Sequence, residues 1–228
     1  MTTQKFLRSI CWVTCSLFVL ALVACSNPAA SPDGAPAGAD APSASEIQAA
    51  ILSAFENQYE FSHHIENTIT TTDSEVFVTI DYFPPDRYAI SSQDNYYTQI
   101  IIIGETVYGF ADSQWAVLPM QADQLINPNA LEELEATLQD LQYLGTETLN
   151  GELADVYSYQ SQTTIGESQV PQTSRLWLGA SDGLPYKIVI DGQIATMDAR
   201  TGKIEGIPAV TTQVITYDPD LTIEAPIP

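Results

Sequence analysis

Apolar residues fall at helical spacing in two short stretches of the chain, and between and after these they mostly alternate with polar ones. Behind Ser45, the residues Ile47, Ala50, Ile51, Ala54 and Phe55 share one face of a helix that the pattern ends near Asn57. From Tyr59 to about Val117 the period drops to two and the residues become β-branched and aromatic, with breaks at Pro84, Pro85 and Asp86 and at Gly104. This predicts successive antiparallel strands. In the second of them Val76, Val78, Ile80 and Tyr82 share one face, while Glu75, Phe77, Thr79 and Asp81 share the other. The run from Tyr96 and Tyr97 to Ile100, Ile101, Ile102 and Ile103 becomes apolar on both faces, as expected of a central strand covered on both sides.

A second helix is predicted from Asn129, read as its N-cap, with Glu132 three residues on. Leu131, Leu134, Leu138 and Leu141 form its stripe, and it is expected to run to about Leu144 and stop at Gly145. Asn150-Gly151 is a strong type I′ turn signal between strands over 145–149 and 152–160. Further strands are expected near 173–179, 184–190 and 209–217, with turns at Asp182-Gly183 and Asp191-Gly192. The expected class is mainly β with helices (α+β): one long antiparallel sheet interrupted by a helix, with another helix in front.

The N-terminal region changes the picture of where such a domain works. Lys5 and Arg8 precede an uncharged run from Ser9 to Ala24, the layout of a secretory signal and too short to span a bilayer comfortably. The run ends in Leu22, Val23, Ala24 and Cys25, which resembles the lipobox of bacterial lipoproteins. Cleavage before Cys25 is expected, with a lipid on that residue. Cys11 and Cys15 would leave with the signal, so Cys25 would have no disulfide partner. From Ser26 to Ser45 the chain is almost wholly Ala, Pro, Ser, Gly, Asp and Asn, which reads as a flexible tether. The expected organisation is a signal over 1–24, a lipidated cysteine and linker over 25–44, and one domain over 45–228, held at the extracytoplasmic side of a membrane.

Charge narrows the partners. The whole chain carries a formal charge of −22. Without the signal, five cations (Arg87, Arg175, Lys187, Arg200 and Lys203) face all 29 acidic residues, a formal charge of −24. Such a surface repels nucleic acid and anionic headgroups, and favours solubility.

Catalytic chemistry has little foothold. His63 and His64 are the only histidines and, as strand neighbours, point to opposite faces, so they do not jointly ligate one ion. No phosphate-binding glycine loop and no serine in a nucleophile elbow is present. Asp94, Asp112, Glu152 and Asp155 are the carboxylates weighed for pairing, with solvated surface groups as the simpler reading. No enzyme, metal or cofactor is expected. Tyr82, Tyr96, Tyr97, Tyr108, Tyr157 and Tyr159 either line a cavity or fill a sheet core.

The order of features resembles the LolA and LolB lipoprotein carriers and, more closely, lipoproteins of the LprG and LppX type. Three segments carry the resemblance. The first is Ile100 to Ile103, Gly104 to Tyr108 and then Gln114 and Trp115. The second is Leu176, Trp177 and Leu178 followed by Gly183, Leu184, Pro185 and Tyr186; the third is the ending from Leu221 to Pro226. The resemblance implies a curved antiparallel half-barrel closed by two helices over an apolar cavity. It further implies binding of acyl chains of a lipid or lipoprotein, for transfer or presentation in the cell envelope. On that reading the lining is expected from Val78, Ile80, Ile100, Ile102, Leu176, Leu178, Ile188 and Ile190, with Leu134 and Leu138 from the helix. The alternative is an envelope sensor or protein-interaction module using the same fold without lipid transfer.

Overall fold

The computed structural model describes residues 42–92, 98–166, 168–197 and 203–227. The signal segment, Cys25, nearly all of the tether, and Asp94, Tyr96 and Tyr97 lie outside the described residues.

The first helix, α1 (Ala44–Gln58), starts at a capping box: Ser43 accepts from the backbone of Glu46, and the Glu46 carboxylate accepts from the Ser43 backbone at 2.8 Å. The Ser43 hydroxyl, which donates to the same carboxylate at 2.6 Å, and then the Ser43 backbone hold the Glu46 carboxyl below its ordinary pKa. Its buried residues Ile47, Ile51, Ala54 and Gln58 recur at four, three and four, so one stripe faces the protein.

Among the described residues, the strands form one antiparallel sheet. They are β1 (His63–Thr71), β2 (Glu75–Phe83), β3 (Arg87–Ser92), β4 (Gln99–Ile103), β5 (Thr106–Ala111), β6 (Gln114–Val117), β7 (Gln139–Leu149), β8 (Glu152–Ile165), β9 (Ser168–Gly179), β10 (Pro185–Met197) and β11 (Ile204–Tyr217). Their order is β6-β5-β4-β3-β2-β1-β11-β10-β9-β8-β7. The first and last strands of the chain order, β1 and β11, pair in the middle, so two meanders are sewn together by one long-range ladder. Before β7 lie a short 3-10 turn over Ala122–Gln124 and the second helix, α2 (Ala130–Thr137). The main core holds Ile47, Ile51, Ala54 and Leu134 of the two helices against the strands' buried side chains, so both helices sit on the same face.

The class and the alternation in β2 agree with the sequence: Val78, Ile80 and Tyr82 are buried, with half-buried or exposed neighbours between them. Asn150 (φ 54°) and Gly151 (φ 92°) make the hairpin turn between β7 and β8, as the sequence predicts.

Three expectations are corrected. The second helix ends at Thr137, seven residues early, and Asn129 makes no side-chain cap bond. Leu138 turns extended and the chain continues as β7, in register with β8 at Gln139, Gln142, Tyr143 and 145–149 with bulges between, which gives those backbone groups partners and sets the Tyr143 ring against Tyr157 at 5.4 Å. Asp191-Gly192 is not a turn. It lies within β10 opposite Val210 and Ala209, because the β10–β11 ladder runs unbroken from Lys187↔Val214 to Met197↔Ile204. The Ile100–Ile103 strand is not central; β4 is third from an edge, with Ile100 and Ile102 buried and Ile101 and Ile103 only half-buried. The centre is β1.

Candidate functional site

The zero-offset registers of the middle strands stack the inner-face side chains into rows that cross the sheet. One row is Ile215, Ile65, Ile80, Ile90 and Ile100, directly opposite one another on β11, β1, β2, β3 and β4, and all five are buried. Burial of each such side chain contributes about 1.5–3 kcal/mol. The next row toward the α1–β1 connection is Tyr217, His63, Tyr82 and Tyr88. The row on the other side is Gln213, Asn67, Val78 and Ser92. The surface under the helices thus passes from aromatic to aliphatic to polar over three rows, His63 to Asn67 along β1.

Above these rows lies a pocket of about 290 Å³. Its floor includes Ile65, Val78, Ile80, Ile90, Ile188 and Ile215, and its aromatic end is His63, Tyr82 and Tyr88. Its walls come from the last turn of α1 (Phe55, Gln58 and Tyr59), the 123–127 segment, and Ala130, Leu131, Glu133 and Leu134 of α2. Thr163, Thr164 and Gln213 complete it. Among the described residues the only carboxylates on the lining are Asp123 and Glu133, and no lysine or arginine borders it.

The aromatic end is fixed by hydrogen bonds. The Tyr82 hydroxyl's one proton is shared between the carbonyls of Tyr59 (3.1 Å) and Pro85 (3.0 Å). Rings stack in sequence, Tyr82 on Tyr88 at 5.0 Å, His63 on Tyr82 at 5.0 Å and His63 on Tyr217 at 5.8 Å. Burial raises the Tyr88 and Tyr217 phenols well above their ordinary range, so both stay neutral.

His63 is 1% exposed. Its Nδ1–H is assigned to donate to the Phe61 carbonyl (2.9 Å), and its Nε2 to accept from the Gln58 amide (3.0 Å), the pattern of a neutral ring. Burial pushes its pKa below the ordinary value, outweighing the bonds that raise it. The unfolded chain therefore takes up this proton first as pH falls. Stability is full above about pH 6.5 and declines as pH drops from there toward the lower folded value. Thermal unfolding between pH 7.5 and 5.5 is expected to show this decline, and His63→Gln should flatten it; an equal slope in the variant contradicts the assignment.

Of the residues expected to line a cavity, Val78, Ile80, Leu134 and Ile188 border the pocket. Ile100, Ile102, Leu176, Leu178 and Ile190 are buried in the same core without bordering it, and Leu138, the C-cap of α2, is half-buried against that core. Of the tyrosines, Tyr82 borders the pocket and Tyr157 and Tyr159 are in the core. The carboxylates do not converge. Asp112 sits in the β5–β6 turn, toward the opposite edge of the sheet from Glu152 and Asp155 on β8. Asp155 accepts from Tyr143 (2.8 Å) and Thr146 (3.3 Å). His64, on the outer face, meets Asp81 and Glu66. Among the described residues no group of His, Cys, Asp and Glu is arranged to hold a metal ion.

Sequence reasoning missed the polar side chains on the inner face. Asn67, Ser161, Gln172, Ser174 and Gln213 are each 2% exposed or less. Gln213 donates to Asn67 at 2.8 Å. Among the described residues the Asn67 amide nitrogen, the Ser161 hydroxyl and both polar atoms of Gln172 have no hydrogen-bond partner. Each unpaired buried group costs about 1–3 kcal/mol. The available signal was polar residues at inward positions of alternating strands, as in Ser161 between Tyr159 and Thr163.

No protein-family model and no curated protein matches the chain. Solved structures do. Lipoprotein LppX of Mycobacterium tuberculosis aligns with a TM-score of 0.55 at 12% identity, covering 80% of this chain and 100% of that one. LprF from Mycobacterium bovis aligns at 0.53 and 12%, covering 82% and 99%. The fold is that of LppX and LprF. The resemblance drawn from the sequence therefore holds at the level of fold. Its first two segments form the strand-and-turn elements expected of them: Ile100–Ile103 to Trp115 the β4-β5-β6 meander, and Leu176 to Tyr186 the β9–β10 hairpin. Among the described residues no helix is long and apolar enough to cross a membrane.

Proposed function

We propose that this chain is an envelope lipoprotein, anchored through a lipid on Cys25 on the extracytoplasmic side of a membrane, and that it binds acyl chains non-covalently for transfer or presentation. The observation that carries the reading is the isoleucine row beneath the pocket. Protein interiors are normally close-packed, yet here Ile65, Ile80, Ile90 and Ile215 face about 290 Å³ of open space between sheet and helices. That volume is at the lower end of the roughly 300–1,000 Å³ usual for small-molecule sites, which suits one chain rather than several. An acyl chain gains by leaving water for such a surface, and α1, the 123–127 segment and α2 act as the cover.

In this reading Val78, Ile80, Leu134 and Ile188 touch the ligand directly. Ile100, Ile102, Leu138, Leu176, Leu178 and Ile190 form the apolar bed that a longer chain reaches if the cover shifts. The fold shared with lipoprotein LppX and the acidic domain behind a tether-like segment support an envelope location.

The test uses the chain from residue 25 onward with Cys25→Ser, which keeps every described residue and needs no detergent. Native mass spectrometry is expected to find co-purifying lipid, and a fluorescent acyl probe to bind saturably after delipidation. A bare protein mass together with no saturable probe binding overturns the proposal.

A further inference from the structure

Resting on the acyl-binding reading, we infer that the α1–β1 joint at His63 is an acid-sensitive latch on the pocket. A neutral His63 holds the last turn of α1 in place as a wall; a protonated His63 frees that wall, and the ligand leaves.

His63 opens β1 five residues after Gln58, the last residue of α1, and both side chains are buried. The end of α1 gives the lining Phe55, Gln58 and the C-cap Tyr59, while His63 belongs to the aromatic end of the floor. The bond from the Gln58 amide to the ring (3.0 Å) therefore ties wall to floor at the pocket's edge. The Tyr59 carbonyl, which shares the Tyr82 proton, makes a second tie to the sheet.

The neutral ring fits this place on both sides, since Nδ1–H donates to the Phe61 carbonyl and Nε2 accepts from Gln58. A second proton, on Nε2, sets donor against donor at the Gln58 amide and brings a charge into the joint. The titratable groups around the ring are Tyr59 at the end of α1 (6.4 Å between ring centres), Tyr82 on β2 (5.0 Å) and Tyr217 on β11 (5.8 Å). Burial holds all three phenols above their ordinary range, so they stay neutral and offer no counter-charge. Among the described residues Asp81 is the carboxylate whose charge acts on the ring, and it sits on the outer face of the sheet against His64. A buried imidazolium without an ion partner gains by reaching water. The joint meets water at the 59–62 connection, where Tyr59 and Phe61 are 48% and 47% exposed. Moving that connection outward solvates the ring and carries Gln58 and Tyr59 off the pocket. Linkage makes the effect reciprocal: a ligand held by the closed wall disfavours protonation of His63 by the same factor by which protonation weakens the ligand.

The experiment uses the delipidated chain from residue 25 onward with Cys25→Ser, and a pyrene-labelled alkane, a probe without a titrating group. Its affinity is expected to be at least about fivefold lower at about pH 5 than at about pH 7.5, with faster dissociation and an unchanged far-UV circular dichroism spectrum. In His63→Gln the two affinities should agree within about twofold. Asp123→Asn combined with Glu133→Gln, which neutralises the carboxylates of the lining, should still show the fivefold loss. A second reading needs no change at His63. By nuclear magnetic resonance its ring signal, told from that of His64 by His64→Gln, should titrate about 0.7 pH unit lower or more in the probe-saturated chain, the logarithm of a fivefold linkage. Equal affinity at the two pH values, a loss that persists in His63→Gln or vanishes with the two carboxylates, or a titration unmoved by the probe overturns the latch while leaving acyl binding standing. Absence of binding at both pH values overturns the acyl-binding reading and this inference with it.

Discussion

Leu134→Ala is expected to lower the unfolding free energy by about 3–4 kcal/mol, measured as a shift of the denaturant midpoint at unchanged slope. Leu134 is 1% exposed and is the only buried residue of the eight-residue α2. Its side chain joins the core shared by α1 and the sheet, so truncation leaves a cavity that neighbouring side chains on a rigid sheet cannot close. Leu131, one turn earlier on the same stripe, is half-buried and borders the pocket. Leu131→Ala is therefore expected to cost no more than about 1 kcal/mol. Equal losses in the two variants would mean that α2 is not held through one residue.

Val78→Trp should abolish saturable acyl-probe binding, or weaken it at least tenfold, by filling the pocket from the middle of its floor. Val78 is buried on the inner face of β2, opposite Asn67 and Ser92, and it borders the pocket. An indole there projects into open volume, and the stability loss should stay within the 1–3 kcal/mol typical of overpacking. Val76→Trp is the matched control. It lies on the same face of the same strand two residues away, half-buried and away from the pocket lining, and should leave probe affinity within about twofold. Titration of the acyl probe into both variants decides the matter. Undiminished binding by Val78→Trp would place the acyl chain elsewhere.

How far the site could be read from the sequence differs by residue. Val78, Ile80 and Tyr82 were legible as one inward face because strand alternation is local, and all three border the pocket. Leu134 was legible from the helical stripe, and Ile188 came only from the resemblance. What could not be read is why Ile80 borders open space and Ile100 does not, although both belong to the same isoleucine row. That depends on where α1 and the 123–134 stretch rest, and their resting place is set by contacts with strands far away in the chain. Tyr88 and Ile215 escaped for the same reason, since each becomes a lining residue only through its cross-strand neighbours. The unpaired Gln172 and Ser161 looked like ordinary strand polars until their register placed them opposite each other inside the protein.

By itself the sequence determined the elements whose cause lies within a few residues: the stripe of α1, the alternation of β2, and the Asn150-Gly151 turn, where two adjacent residues can take positive φ cheaply. Tertiary structure decided where partners come from elsewhere. Residues 139–144 carry leucines that suit a helix, yet they extend, because β8 offers Gln139, Gln142 and Tyr143 a ladder, with the two leucines at its bulges. Asp191-Gly192 looks like a turn, yet β11 holds it straight. The rows of aromatic, aliphatic and polar side chains that make the pocket exist only because β1 closes on β11, some 150 residues later in the chain. Backbone hydrogen bonding is satisfied across such distances as readily as nearby, and it is this long-range pairing that turns a legible set of strands into a site.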